Sequence, residues 1–163
     1  MRTHPHQSAV DSTPTAEHRS HRVVVGINED PASRQALRLA FAEAALRGGD
    51  LHALHVWRAS SPWGDPDLQE ADKPAGDYAL KMVSQTVNEV VRERAIAGEP
   101  PVAVLTEVVE GSPWAELSKA ARGAAMLVVG QRHHSRVLGS VSQACVNHPP
   151  CTVVIVPTLS VDS

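Results

Sequence analysis

The chain has 163 residues, 42% of them hydrophobic but only 3% aromatic, which predicts a single domain with a core of aliphatic layers and few large rings. Its 15 basic and 18 acidic residues leave a formal net charge of -3, so no global field draws in nucleic acid or an anionic membrane. Cys145 and Cys151 match neither a disulfide framework nor a zinc spacing, and no run has signal-peptide or membrane-spanning character, so the expected setting is the reducing cytoplasm.

Residues 1–21 are polar, rich in His, Ser, Thr and Pro, and without periodicity; they read as a disordered tail. The expected domain runs over 22–157, with a short tail over 158–163. VVVGI (Val23 to Ile27) is a continuous apolar run, the pattern of a strand covered on both faces. Asp30-Pro31 supplies an N-cap and a first-turn proline. The helix that follows places Leu37, Phe41, Ala44 and Ala45 on one stripe and stops at Gly48-Gly49. LHALHVW (Leu51 to Trp57) is a second strand. Arg58 to Gly76, with Pro62, Pro66 and Pro74, reads as a long loop.

Leu80, Val83, Val87, Val90 and Val91 mark the next helix, ending near Gly98-Glu99-Pro100. Val102 to Glu110 is a third strand, and Ser112-Pro113 caps a helix that turns Trp114, Leu117 and Ala121 inward. MLVVG (Met126 to Gly130) is the fourth strand. Gly139-Ser140 opens a last helix, and CTVVIVP (Cys151 to Pro157) is the fifth strand. Short apolar strands alternating with amphipathic helices predict an α/β fold: a five-stranded parallel doubly wound sheet with right-handed crossovers and helices on both faces. Such sheets bind ligands at the carboxyl ends of their strands, where the winding reverses. Gly139-Ser140 leads into a helix N-terminus, where unpaired N–H groups and the helix dipole favour a phosphate. Arg132 and Arg136, flanking His133 and His134, form a local basic patch beside it.

VVVGINEDPASRQAL near the start, VVEGSPWAELSKAARGAAMLVVG in the third quarter and GSVSQACVNHPPCTVVIVP at the end together resemble the universal stress protein family. The resemblance covers nearly all of Arg22 to Pro157. It implies an adenine-nucleotide alpha-hydrolase-like sheet of order 3-2-1-4-5 with a cleft between the first and fourth strands. It also implies a homodimer joined by antiparallel pairing of the fifth strands, here Thr152, Val153, Val154, Ile155 and Val156, which would cover an exposed strand edge. Many members bind ATP through a loop patterned G-x2-G-x9-G-[ST]. Gly130 and Gly139-Ser140 match its ends, but His133 stands at the second glycine and only five residues separate it from Gly139. A side chain at His133 hinders close backbone approach to phosphates.

The resemblance also places Gly26, Asn28 and Val56 at the ligand. Asn28 stands where ATP-binding members usually carry Asp, keeping a carbonyl acceptor without the charge. Glu29 and Asp30 bring negative charge near the site, which Mg²⁺ or arginine would have to offset. The implied set is therefore Gly26, Asn28, Val56, Gly130, Arg132, His133, Arg136, Gly139, Ser140, Val141 and Ser142, with ATP and Mg²⁺ as the ligand.

Two readings stay open: a nucleotide-sensing stress protein, and a nucleotide-independent signalling dimer acting through unknown protein partners. An enzyme on this architecture would need a His-x-Gly-His or Ser-Gly-Gly-x-Asp-Ser type loop after the first strand, where this chain has Asn28-Glu29-Asp30-Pro31, so catalysis is not expected. His52 and His55 lie an odd number apart on a strand and should face opposite sides. The remaining histidines and both cysteines read as solvated or packed, with no metal site. Trp63 is a cover for an adenine ring, an anchor for its loop or a contact for a partner.

Overall fold

Three valines in a row, Val23, Val24 and Val25, are fully buried because both faces of their strand are covered. The computed structural model describes residues 20–58, 66–131 and 140–157, with side chains in the middle stretch described from 75 onward. Its elements are β1 (Val23–Gly26), α1 (Pro31–Arg47), β2 (Leu51–Trp57), α2 (Pro66–Ile96), β3 (Val104–Glu110), α3 (Pro113–Ala121), β4 (Met126–Gly130), α4 (Ser140–Asn147) and β5 (Val153–Val156). All strand pairs are parallel, in the order β3-β2-β1-β4-β5. The doubly wound sheet expected from the sequence is thus the fold, with β3 and β5 as its edges.

Alternation along the strands divides the core in two. Val23, Val25, Leu51, Ala53 and Val128 face α1 and α2, where they meet Ala36, Leu37, Ala40, Phe41, Val83 and Val90. Val24, Leu54, Leu127 and Val129 face α3 and α4, where they meet Leu117, Ala121 and Cys145. Asp30 caps α1 as predicted, its Oδ1 accepting from the Ala32 N–H at 2.9 Å, with Pro31 in the first turn. The helix ends at Gly48, whose φ of 61° is left-handed and suits glycine. Bidentate bonds from Arg38 to Glu93, both 2.9 Å, and an Arg34–Glu89 pair tie α1 to α2 at the surface.

Several local expectations are corrected. Residues 66–76 are helical, not loop: Pro66 takes the first helical position, where its missing N–H costs nothing, and the helix passes through Pro74. On α2 the expected Val83, Val87 and Val90 point inward together with Ala79, while Leu80 and Val91, also expected there, are exposed. Ala45 is only half-buried. Ser112 precedes α3 but makes no side-chain capping bond. Expected features at 1–19, at Trp63 and over 158–163 lie outside the described residues.

Candidate functional site

The cleft arises from how β1 and β4 end. Their ladder stops at Val25 against Val128. Beyond it, β1 keeps pairing with β2, through Gly26 to Leu54 and the Ile27 N–H donating to the Leu54 carbonyl at 2.9 Å. β4 instead continues with β5, through Gly130 to Val156 and the Gln131 N–H donating to the Val156 carbonyl at 2.8 Å. The two strand ends are held by opposite neighbours and so part, opening a crevice at the point where the winding reverses. Gly26, Ile27, Asn28, Leu54, Val56, Val129 and Gly130 form its floor and walls. Pro113 and Leu117 of α3, and Ser140, Val141 and Ser142 of α4, close the rest of a space of about 180 Å³.

Seven residues singled out from the sequence, Gly26, Asn28, Val56, Gly130, Ser140, Val141 and Ser142, therefore meet in one cleft. Arg132, His133, Arg136 and Gly139 lie outside the described residues. Ile27, Leu54, Val129, Pro113 and Leu117 line the same space without having been singled out; inward-facing positions at the ends of β1, β2 and β4 were the signal for the first three.

Each glycine has a steric reason. A Cβ on Gly130 would stand 2.8 Å from the Ala32 carbonyl carbon and 2.9 Å from its oxygen, so this glycine lets the first turn of α1 pack against the end of β4. Its primary role is helix–strand contact. At Gly26 a Cβ would meet both Leu117 methyl groups at 3.3 Å, which would press α3 outward at the cleft wall.

The turn from β1 into α1 is tightly bonded. Asn28 Oδ1 accepts from the Asp30 N–H at 2.8 Å and from the Ser33 hydroxyl at 2.6 Å, while the Asn28 N–H donates to Ser33 Oγ at 3.0 Å. The Asn28 carbonyl expected to face a ligand is thus already used. Asp30 is committed to its cap and Glu29 is exposed; both follow Asn28 directly, but neither is among the residues described as lining the cleft. His55 braces the same turn from the other face, its Nδ1–H donating to the Ile27 carbonyl at 2.6 Å.

At the opposite end of the strands a cavity of about 280 Å³ is lined by Arg22, His52, Glu107, Lys119 and Arg122, among others. Arg22 is held by Asp50 through contacts of 3.0 and 2.6 Å, and His52 by Glu107 at 2.7 Å. Burial pushes the His52 imidazole below its ordinary range against the opposing pull of Glu107. His52 and His55 serve separate contacts on opposite faces, as their spacing predicts. Burial raises the Cys145 thiol to about 11 and raises that of Cys151, which suits packed, unreactive cysteines. Among the described residues no three or more His, Cys, Asp or Glu side chains gather to hold a metal ion, and no helix is long and apolar enough to cross a membrane.

Comparison with known proteins extends this picture. Residues 19–157 match the universal stress protein family. A universal stress protein of Mycobacterium tuberculosis is 35% identical over 140 residues, covering 82% of this chain and 43% of the relative. The chain thus spans about half the length of the curated relatives it matches. Among solved structures, the UspA protein of Lactobacillus plantarum is similar with a TM-score of 0.67 and 24% identity, covering 85% of this chain and 98% of its own. A universal stress protein in complex with cAMP is similar at a TM-score of 0.58 and 23% identity, over 85% of this chain and 97% of its own.

Proposed function

The chain belongs to the universal stress protein family, and from that premise we propose that it is a non-enzymatic stress-response protein that binds an adenine nucleotide in the β1–β4 cleft. The observation that carries this reading is the meeting of an apolar wall and a helix N-terminus in one crevice. Leu54 and Val56 line the cleft with apolar side chains suited to a base, and the N-terminus of α4, with Ser140 and buried Ser142, offers N–H groups and a dipole for phosphate. A structural relative binds cAMP, which supports an adenine ligand on this scaffold.

The described lining contains no carboxylate. Among the described residues the Ser140 and Ser142 hydroxyls would be the groups to hold Mg²⁺, which would arrive on the nucleotide phosphates. Its contribution when bound would be to neutralise phosphate charge. The protein's contribution is to hold and orient the nucleotide; the output would be a change in partner affinity.

β5 supports the second half of the reading, a homodimer. It is an edge strand of Val153, Val154, Ile155 and Val156, all only half-buried, and an apolar edge of this kind invites pairing with a second copy. The cytoplasm remains the expected location.

Isothermal titration with Mg·ATP tests the site. Binding in the micromolar range, weakened in Ser140→Ala and Ser142→Ala, is the expected result. No heat up to millimolar nucleotide at two temperatures would leave the nucleotide-independent dimer as the better reading. Sedimentation at tens of micromolar tests the dimer: a monomer there, roughly the range of a useful interface, would refute it.

A further inference from the structure

The hydrogen bonds around Asn28 decide which end of its side-chain amide is taken up by the turn. A backbone N–H only donates, so the Asn28 side-chain atom 2.8 Å from the Asp30 N–H is the carbonyl oxygen and not the amide nitrogen. The Ser33 hydroxyl accepts from the Asn28 N–H at 3.0 Å, which leaves its own proton for the same Oδ1 at 2.6 Å. Both lone pairs of that oxygen are then filled. Ser33 is 3% exposed in the first turn of α1, so water does not compete for its hydroxyl. Asn28 lines the cleft, and Nδ2 is the side-chain atom for which no hydrogen bond is found among the described residues.

We infer that Asn28 presents the ligand with a locked, uncharged donor, and that Ser33 is the positioning residue that holds it. The inference rests on the nucleotide reading above. It assigns the ligand a hydrogen-bond acceptor at this point, supplied by a purine ring nitrogen or a ribose oxygen. Asp at this position, as in the ATP-binding members that the chain resembles, would instead offer an acceptor and a charge. The polarity of this subsite is inverted here, and the inversion comes from two side chains, Asn28 and Ser33, and the Asp30 backbone N–H, all within six residues.

Adenosine is the probe, because it carries no phosphate and so separates donor chemistry from charge repulsion. Titration of the full chain is expected to show Asn28→Asp, Asn28→Ala and Ser33→Ala each binding adenosine about 2- to 10-fold more weakly, the span of one neutral hydrogen bond. Analogues locate the acceptor. If a ring nitrogen faces Nδ2, one of the 1-, 3- or 7-deaza adenosines loses affinity; if a ribose oxygen does, the 2′- or 3′-deoxy analogue loses it. The loss seen in the wild type should vanish in Asn28→Ala, and should shrink in Ser33→Ala, which a merely structural serine would not produce. Thermal melts confirm that each variant is folded.

Asn28→Asp binding adenosine as tightly as the wild type would overturn the inference, as would affinity losses for every analogue that are equal in wild type and Asn28→Ala. Those results leave nucleotide binding intact. Failure of the wild type to bind adenosine, AMP or Mg·ATP would overturn the nucleotide reading, and this assignment with it.

Discussion

The two faces of the sheet are built unequally. On one face α1 and α2, of 17 and 31 residues, bury Leu37, Phe41, Val83 and Val90 against the strands. On the other, α3 and α4 have only 9 and 8 residues and bury chiefly Leu117, Ala121 and Cys145. An α-helix rises about 1.5 Å per residue and a strand about 3.3 Å, so each of these helices is about as long as β1 and falls well short of β2. Among the described residues, that face has space at both ends of its strands, as the β1–β4 cleft at the carboxyl ends and the charged cavity at the amino ends. Rigidity and access are thereby assigned to different sides of one sheet. The thick face holds the strands still, and the thin face gains space for a ligand.

The sharpest test compares a large buried helix side chain on each face. Phe41 is 1% exposed, with the Arg94 guanidinium 5.6 Å from its ring centroid. Phe41→Ala should cost about 3–5 kcal/mol in chemical denaturation, as ring deletions from tight cores do. Gly130→Ala attacks the seam between the faces. The new methyl would meet Ala32 backbone at 2.8–2.9 Å, and backbone cannot swing aside as a side chain can, so the expected loss is about 3 kcal/mol. Leu117→Ala, on the thin face, should cost only about 2 kcal/mol, because its cavity joins an open cleft that water can enter. Equal losses for Phe41→Ala and Leu117→Ala would erase the proposed contrast between the faces.

The same contrast explains what was legible in the sequence. Strands buried on both sides, such as Val23 to Val25, announce themselves as apolar runs, and Asp30-Pro31 marks the start of α1 through local chemistry. Their order in the sheet came from the family resemblance, since runs and helices alone do not say which strands neighbour each other. The start of α2 at Pro66 was missed because three prolines in one stretch look like punctuation, while a proline at a first helical position is compatible with the helix. At the site, residue identity was legible but hydrogen bonding was not. Asn28 looked like an available acceptor until Ser33, five residues later, was folded back onto its oxygen. Gly130 matched a phosphate-loop pattern, yet its tightest constraint is the backbone of Ala32, a contact no local pattern encodes.

The smallest expected effect concerns His52, at the amino end of the thin face. The ring is 6% exposed, bonded to Glu107 of β3, and shares its cavity with Arg22 before β1 and with Glu116, Lys119 and Arg122 at α3, while Asp50 holds Arg22. Burial lowers its pKa from 6.5, with Arg22 adding to the decrease and Glu107 and Asp50 opposing it. A depressed imidazole pKa means that the unfolded chain binds more protons than the folded one between the folded value and 6.5. The stabilisation from a neutral ring is complete above 6.5 and is lost as pH falls toward the folded value. Melting temperature should therefore rise modestly from pH 5 to pH 7, and His52→Gln should flatten that slope while leaving nucleotide affinity in the distant cleft unchanged. The difference between the two proteins isolates this ring from the carboxylates that titrate in both. If the wild type gains less than the variant on going from pH 5 to pH 7, the ring is held as a cation by Glu107. Desolvation would then have lost to the ion pair, and His52 would join the charged groups that line the cavity.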